Sequence, residues 1–321
     1  MNELIINRVM HGDCLELSNE IGSGSVDLIL TDLPYGIIKG VGFGGWDKEK
    51  TYWDIAIDPK MIFEIANRIL RKNGKMVLFS QEPYTTELRN GAVPNISFSY
   101  RAIWEKDHFA NALGVNKAMV SMYEDILIFS KKECQEAKHP LRVIMLKYVK
   151  KYGKDFIVDL FREEGRYKNQ ASARVHASYK FGFNSGLRFE LMDKKMYEFL
   201  SHYIQFEETY DELKAIDIEY KHKYSSTFNL WEGNKFKSNI LKYKKDYDGY
   251  HPTQKPVLLL EDLIKTFSNK GDTVVDLTAG SCSSAIACIN TDRNFICIEK
   301  DWDYCQIANK RIEEAKANFR Y

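Results

Sequence analysis

Residues 26–36 read VDLILTDLPYG, a mostly apolar run followed by an acidic residue, a proline and an aromatic ring. The run from Val26 to Leu30 has the pattern of a buried strand. Open α/β sheets bind their ligands at the carboxyl ends of such strands. Pro34 stiffens the turn and leaves backbone carbonyls free to accept hydrogen bonds, while Tyr35 offers a flat face for stacking. With the Asp32 carboxylate, the stretch predicts a site for a planar base held by its exocyclic amine, although ordinary turns share these residue types.

Alternating strands and helices extend on both sides of this stretch. Before residue 131, strands are predicted at 4–10, 75–80, 97–104 and 125–130, and helices at 59–70 and 82–90. After residue 248, the pattern predicts a helix at 257–267, a strand at 273–277, a helix ending at 290, a strand at 295–298 and a final helix from 302. Strand and helix in alternation are typical of an α/β fold with a parallel sheet.

The segment 131–247 interrupts this alternation, so the chain is divided into a first half (1–130), an insertion (131–247) and a second half (248–321). Between 131 and 250 there are 24 Lys and Arg against 18 Asp and Glu, and 12 of the 19 tyrosines. Helices with helix-turn-helix spacing are predicted at 141–151, 155–164 and 169–180, with further helices within 196–224. A basic, tyrosine-rich insertion favours a module that binds a polyanion, and a solvated helical insertion is the alternative.

The overall composition is that of a globular chain, with 44% hydrophobic and 28% charged residues in 321. No apolar stretch reaches the length of a membrane span, and the first residues lack the pattern of a signal peptide. The six cysteines show no Cys-x-x-Cys spacing, which favours unpaired thiols over disulfides or a zinc site. We therefore expect a cytoplasmic protein that has no membrane span and binds no metal.

A second motif, DLTAGSCSS at 276–284, joins a strand to a helix, and the next strand ends in IEKD at 298–301. A strand, a small-residue turn, a helix and a strand with an acid at its tip are typical of a nucleoside-binding unit. Gly280 is the sole glycine of the turn, which argues against a pyrophosphate cradle. S-adenosylmethionine, a nucleoside without phosphates, fits this pattern.

TDLPYG, HPTQKP at 251–256, DLTAGSCSS and IEKD occur in an order that resembles the β-group amino-methyltransferases of DNA, especially the phage-type and bacterial adenine enzymes. The resemblance covers residues 1–130 and 248–318. It implies a circularly permuted, Rossmann-like S-adenosylmethionine methyltransferase sheet, with a mainly helical target-recognition domain inserted into it. It also implies double-stranded DNA as the partner. Dimers occur in that family, so a homodimer is compatible with the sequence.

The resemblance also assigns roles to individual residues. The implied catalytic residues are Asp32, Leu33, Pro34 and Tyr35. The implied cofactor-binding residues are Asp13, Asp32, Thr253, Lys255, Asp276, Thr278, Gly280, Ser281, Glu299 and Lys300. The residues predicted to contact DNA are Asn111 and Lys117, near strand ends, and Arg174, His176 and Lys180, on the third helix of the insertion. Tyr123 is a further candidate for the wall of the cleft.

These residues predict transfer of a methyl group to the N6 amine of a flipped-out adenine. Aspartate at the head of TDLPYG favours adenine, and N4 methylation of cytosine by the same site stays an alternative. The second glycine of the cofactor turn is replaced by Cys282, whose side chain is expected to crowd the ligand. A DNA-binding relative without catalytic activity is therefore a third possibility.

Overall fold

A computed structural model describes most of the chain. The described residues are 5–36, 54–110, 116, 119–132, 138–184, 186, 188–224, 226–230, 235–246, 250 and 253–318. Two predicted DNA contacts, Asn111 and Lys117, lie outside the described residues, as do the first two residues of HPTQKP.

The described strands and helices follow the predicted alternation, but the first strand begins at Arg8 and not near residue 4, and the strand predicted from residue 75 begins at Leu70. The strands are β1 (Arg8–His11), β2 (Val26–Asp32), β3 (Leu70–Ser80), β4 (Ile96–Ala110), β5 (Ser121–Lys131), β6 (Ile240–Lys242), β7 (Thr273–Asp276) and β8 (Asn294–Glu299). The helices are α1 (Cys14–Leu17), α2 (Pro59–Ile69), α3 (Tyr84–Asn90), α4 (Pro140–Tyr152), α5 (Lys154–Glu163), α6 (Gln170–Phe181), α7 (Lys194–Ser201), α8 (Tyr210–Tyr224), α9 (Val257–Phe267), α10 (Ser283–Asn290) and α11 (Trp302–Asn318).

The strands form one sheet in the order β1-β8-β7-β2-β3-β5-β4-β6. β2 lies at its centre, parallel to β7 on one side and to β3 on the other. β7 and β2 are neighbours although the chain forms them more than 240 residues apart, as the pairing of Leu28 with Val274 shows. The carboxyl ends of β2, β7 and β8 therefore meet at one edge of the sheet.

The strand β5 departs from the expected all-parallel pattern because it runs antiparallel to both β3 and β4. Only the residues 111–120 separate β4 from β5. A parallel connection needs a crossover of a dozen or more residues, so this short link requires an antiparallel neighbour.

The sheet is covered on both faces. Alternating residues of β2 point to opposite sides, and Ile29 packs with α2 in one core cluster while Leu28 and Leu30 pack with α9 and α10 in another. Strands buried on both faces are nearly continuous apolar runs, which is why residues 26–30 and 274–275 were recognisable in the sequence.

The chain divides into two compact units. One contains residues 1–132 and 226–321, and the other contains residues 133–225. The second unit consists of α4 to α8 around its own apolar core, which includes Met145, Phe161 and Leu200. The sequence predicts that residues 226–247 belong to the insertion. They group with the first unit instead, because β6 pairs in parallel with β4 of the large sheet.

Candidate functional site

A cavity of about 1040 Å³ opens in the first unit at the carboxyl ends of β2, β7 and β8. It brings together residues from both ends of the chain. The predicted catalytic and cofactor-binding residues that line it are Asp13, Asp32, Leu33, Pro34, Tyr35, Thr253, Lys255, Asp276, Thr278, Gly280, Ser281, Glu299 and Lys300. Their individual roles stay predictions, but the fold places all of them around one space.

Asp276, the last residue of β7, lines the cavity and accepts three hydrogen bonds. Its Oδ1 accepts hydrogen bonds from the Thr31 hydroxyl at 2.8 Å and from the Thr278 amide at 3.2 Å. Its Oδ2 accepts one from the Ser284 hydroxyl at 2.5 Å. Burial raises the pKa of Asp276 to about 6, and these three donors oppose the increase. Asp276 thus connects the end of β7 with β2 and the start of α10.

Glu299, at the tip of β8, holds the turn that follows β7. Its Oε2 accepts a hydrogen bond from the Gly280 amide at 2.6 Å, and its Oε1 accepts one from the Asp301 amide at 2.7 Å. Burial raises the pKa of Glu299 despite both donors. Each oxygen keeps a second lone pair, so this carboxylate can also accept hydrogen bonds from two neighbouring hydroxyl groups.

Asp13 and Lys300 face each other at the rim of the same cavity. The Lys300 ammonium donates to Asp13 Oδ2 at 2.9 Å, and the Leu15 amide donates to Oδ1 at 2.9 Å, where Asp13 caps α1. Both hydrogen bonds lower the pKa of Asp13, that from Lys300 most strongly. Asp13 is therefore an ionised acceptor at neutral pH.

Cys282 does not crowd the cavity, contrary to the expectation from the sequence. Its backbone is in the left-handed region, with φ 59° and ψ 41°, which is the conformation that glycine adopts most easily. Its side chain is fully buried in the core cluster of α9 and α10 and is not among the groups that line the cavity. The sequence shows the missing glycine but cannot show in which direction the replacing side chain points.

Asp32, at the end of β2, also lines the cavity. The Tyr35 hydroxyl donates to Asp32 Oδ1 at 2.6 Å, and the Lys255 ammonium donates to Oδ2. The Thr278 hydroxyl donates to the backbone carbonyl of Asp32 at 2.9 Å, which connects this turn to the one after β7. TDLPYG is thus fixed through its side chains and its backbone.

Two functional candidates were missed from the sequence, Glu124 of β5 and Lys106 of β4. Lys255 forms a second ion pair with Glu124 Oε2 at 3.1 Å, and Lys106 pairs with Glu124 Oε1. Both residues line the cavity. The neighbouring Tyr123, a candidate from the sequence, is 45% exposed and lies outside the lining, because successive residues of a strand point to opposite faces.

The predicted DNA contacts of the insertion lie on α6, in the second unit. The Arg174 side chain is 57% exposed and pairs with Asp155 at 3.4 Å. His176 stacks on Tyr167 with ring centroids 4.4 Å apart. Lys180 is less accessible than expected, since its ammonium donates to Glu190 at 3.0 Å and its side chain is 16% exposed. Their contact with DNA stays a prediction.

Two features are absent from the residues that the structure describes. None of the helices in these ranges is long and apolar enough to cross a membrane. No group of three or more His, Cys, Asp and Glu side chains in the same ranges is arranged to hold a metal ion.

Known proteins are similar to this one over nearly the whole chain. DNA adenine methyltransferase YhdJ of Escherichia coli K12 is 25% identical over 316 residues, which is 96% of this chain and 83% of YhdJ. The structure of the M1.HpyAVI-SAM complex is similar with a TM-score of 0.53 and 18% identity, covering 95% of this chain and 98% of that chain. The structure of the cytosine-N4-specific PvuII DNA methyltransferase is similar with a TM-score of 0.51 and 14% identity, covering 97% of this chain and 90% of that chain.

The two structural likenesses confirm the predicted fold class, and at these identities they bear on the fold alone. The model of the DNA methylase family N6_N4_Mtase matches residues 26–310. This match includes TDLPYG, the turn after β7 and the strand that carries Glu299. The chain therefore belongs to the N6_N4_Mtase family of DNA methylases.

Proposed function

We propose that this DNA methyltransferase uses S-adenosylmethionine to methylate the N6 amine of adenine in double-stranded DNA. The observation that carries the proposal is that Asp32, at the end of β2, shares one cavity with the Asp276 turn and the Glu299 carboxylate. The first wall, residues 32–35, offers an acceptor for an amine. The second wall, formed by Asp13, residues 276–281 and Glu299, offers acceptors for a nucleoside. A methyl donor and a base can therefore occupy the same space.

The residues of the second wall fit S-adenosylmethionine. Glu299 has lone pairs for a ribose diol, and the ionised Asp13 can accept a hydrogen bond from the adenine amine of the donor. Gly280, with φ 53°, keeps the turn beside Glu299 free of a side chain. When bound, S-adenosylmethionine supplies a methyl group that its sulfonium makes electrophilic.

The residues of the first wall would activate the target amine. The nitrogen of an exocyclic amine is a poor nucleophile because its lone pair is delocalised into the ring. Hydrogen bonds from that amine to Asp32 and to the Leu33 carbonyl favour a pyramidal nitrogen and stabilise the positive charge that develops on it. Each Asp32 oxygen already accepts one donor and keeps a lone pair for the amine.

The target base has to leave the duplex to reach Asp32, because a base inside the stack cannot contact a carboxylate that is only 21% exposed. Tyr35 is the proposed stacking partner. Its ring lies 6.1 Å from that of Tyr84, which supports it from the protein side. The second unit, through the exposed Arg174, is the proposed contact for the DNA backbone.

Adenine is proposed as the target on two grounds. TDLPYG begins with an aspartate, and YhdJ, which is similar over most of its length, is a DNA adenine methyltransferase. The test is to incubate the protein with S-adenosylmethionine and unmodified mixed-sequence DNA and to identify methylated nucleosides by mass spectrometry. We expect N6-methyladenine. N4-methylcytosine would overturn the choice of base, and no methylated product would overturn the activity.

A variant at Cys282 tests the alternative of a relative without cofactor binding. Because the Cys282 side chain lies in the core, Cys282→Gly is expected to change the Kd for S-adenosylmethionine by less than about twofold. Glycine removes roughly 1 kcal/mol of backbone strain at this left-handed position. This gain offsets part of the folding stability that is lost with the buried side chain. Isothermal titration calorimetry measures the affinity, and a much tighter Kd in the variant would mean that Cys282 does obstruct the site.

A further inference from the structure

Four side chains of alternating charge form a continuous row in the cavity wall: Asp32, Lys255, Glu124 and Lys106. Lys255 contacts Asp32 Oδ2 and lies 3.1 Å from Glu124 Oε2, and Lys106 contacts Glu124 Oε1. The side chains are 21%, 6%, 11% and 6% exposed, in that order. Asp32 is the most accessible member, at the end of the row that faces the proposed target amine.

Each member of the row comes from a different part of the fold. Asp32 ends β2, Lys255 precedes α9, Glu124 lies on β5 and Lys106 on β4. The two ammonium groups also lie near aromatic faces, Lys255 at 5.2 Å from the ring centre of Phe79 and Lys106 at 5.1 Å from that of Trp104. The row is therefore a built feature that connects the reaction site with the antiparallel strands of the sheet.

Burying four charges is costly, and a buried pair of this kind seldom adds net stability over apolar side chains of the same size. Helix and strand packing alone would be served equally well by apolar residues at Lys106 and Glu124. The row therefore has a use other than stability. Because its accessible end is the carboxylate proposed to hold the amine, that use concerns Asp32.

We propose that Lys255 is a positioning residue that keeps Asp32 ionised and fixes its orientation toward the target amine, and that Glu124 and Lys106 hold Lys255 in place. The inference rests on the proposed function, because it gives Asp32 the role of amine acceptor. It differs from the role that the family resemblance implies for Lys255, which is contact with the cofactor.

The electrostatic surroundings of Asp32 support this role. Burial, the largest influence, raises the pKa of Asp32, Lys255 lowers it, and Glu124 raises it. Tyr35 donates a hydrogen bond to Asp32, and Asp276 ends the neighbouring strand β7. Asp54 lies near Tyr35, and Lys245 lies near Lys255 and Glu124. A protonated Asp32 loses the negative charge that stabilises a positive nitrogen, so activity falls as the pH drops through the pKa of Asp32.

Substitutions at Lys255 and Glu124 have opposite consequences for that pKa. Lys255→Met removes the cation that lowers the pKa of Asp32, so the acid limb of the pH-rate profile should move to higher pH. Glu124→Gln removes the anion that raises it, so the acid limb should move to lower pH. If Lys255 and Glu124 had only a structural role, both substitutions would lower the rate through loss of packing. The midpoints of the acid limbs of the two variants would then not move in opposite directions.

The experiment measures single-turnover methylation of DNA against pH, at saturating S-adenosylmethionine, for the full-length wild type, Lys255→Met, Lys255→Arg and Glu124→Gln. Lys255→Met should lower the optimum rate by about 10- to 100-fold, and Lys255→Arg should keep the wild-type midpoint because the positive charge remains. The matched controls are Lys270→Met and Glu261→Gln. Each removes one member of a lysine–carboxylate pair whose residues do not line the cavity, at 2.7 Å and 3.2 Å respectively.

A second measurement does not need methylation. Carbon-13 NMR of labelled aspartate carboxyl groups follows the titration of Asp32, with Asp32→Asn to assign its signal, in the wild type and in both variants. The same opposite displacements of the Asp32 midpoint are expected. If the wild type yields no methylated DNA but the Asp32 midpoints move as stated, the proposed methyltransferase function fails, whereas the control of the Asp32 pKa by Lys255 and Glu124 is supported. If the midpoints stay in place, or if Lys255→Met raises only the Kd for S-adenosylmethionine, the row does not control Asp32.

Discussion

Asp32→Ala is expected to lower the rate of methyl transfer by at least about 1000-fold while the Kd for S-adenosylmethionine changes by less than about threefold. The carboxylate is the acceptor proposed to face the target amine, and alanine offers neither a hydrogen bond nor a negative charge. The second wall, which is proposed to bind the cofactor, is built on Asp276 and Glu299, and both are held by partners other than the Asp32 side chain. Single-turnover kinetics and calorimetry separate the two effects.

Asp32→Asn refines this expectation. The amide keeps the size of the side chain and one acceptor oxygen, but it places an NH₂ group against either the Tyr35 hydroxyl or the Lys255 ammonium. We therefore expect a loss of rate close to that of alanine. Wild-type rates in either variant would remove Asp32 from the reaction, and a large loss of cofactor affinity would place it in the cofactor site instead.

Glu299→Gln is expected to weaken S-adenosylmethionine binding by about 10- to 100-fold, with a much smaller change in the rate at saturating cofactor. Both carboxylate oxygens of Glu299 accept hydrogen bonds from backbone amides, those of Gly280 and Asp301. Glutamine has one oxygen, so its NH₂ group faces one of these N–H donors and repels it. The turn beside Gly280 then loses the anchor that shapes the ribose site.

Titration calorimetry measures this loss, with Glu313→Gln as the matched control. Glu313 is 75% exposed on α11, pairs with Lys316 at 3.3 Å and does not line the cavity. Its substitution should leave the Kd unchanged. If Glu299→Gln binds as tightly as the wild type but reacts slowly, Glu299 belongs to the catalytic step and not to the cofactor site.

The parts of this site that follow from local sequence were predictable. An apolar run that ends in an acid marks a buried strand and the group at its tip, so Asp32, Asp276 and Glu299 could be placed at one edge of the sheet before the structure was known. The helix from Val257 to Phe267 was predicted with the bounds that the structure has, because Pro256 precedes it and its apolar spacing is regular.

The parts that depend on distant pairing were not predictable. Lys255 and Asp32 are 223 positions apart, and no local pattern shows that they meet. Glu124 precedes an apolar strand run, a position where an acid is usually exposed. It lines the cavity because β5 runs antiparallel to β3, which brings the start of β5 to the edge where the parallel strands end. The burial of Cys282 likewise depends on a backbone conformation that one residue type cannot reveal.

The order of the strands also has a consequence for how the protein is made. Arg8 of β1 pairs with Ile296 of β8, and β2 lacks its neighbour β7 until residue 276 has been added. A ribosome that adds 5–20 residues per second needs roughly 15–60 s to synthesise the intervening chain. During that time β1 has no partner strand and the edge of β2 is uncovered. Asp32 is therefore synthesised early, Asp276 and Glu299 are synthesised last, and the unpaired strand edges make the nascent chain prone to aggregation until then.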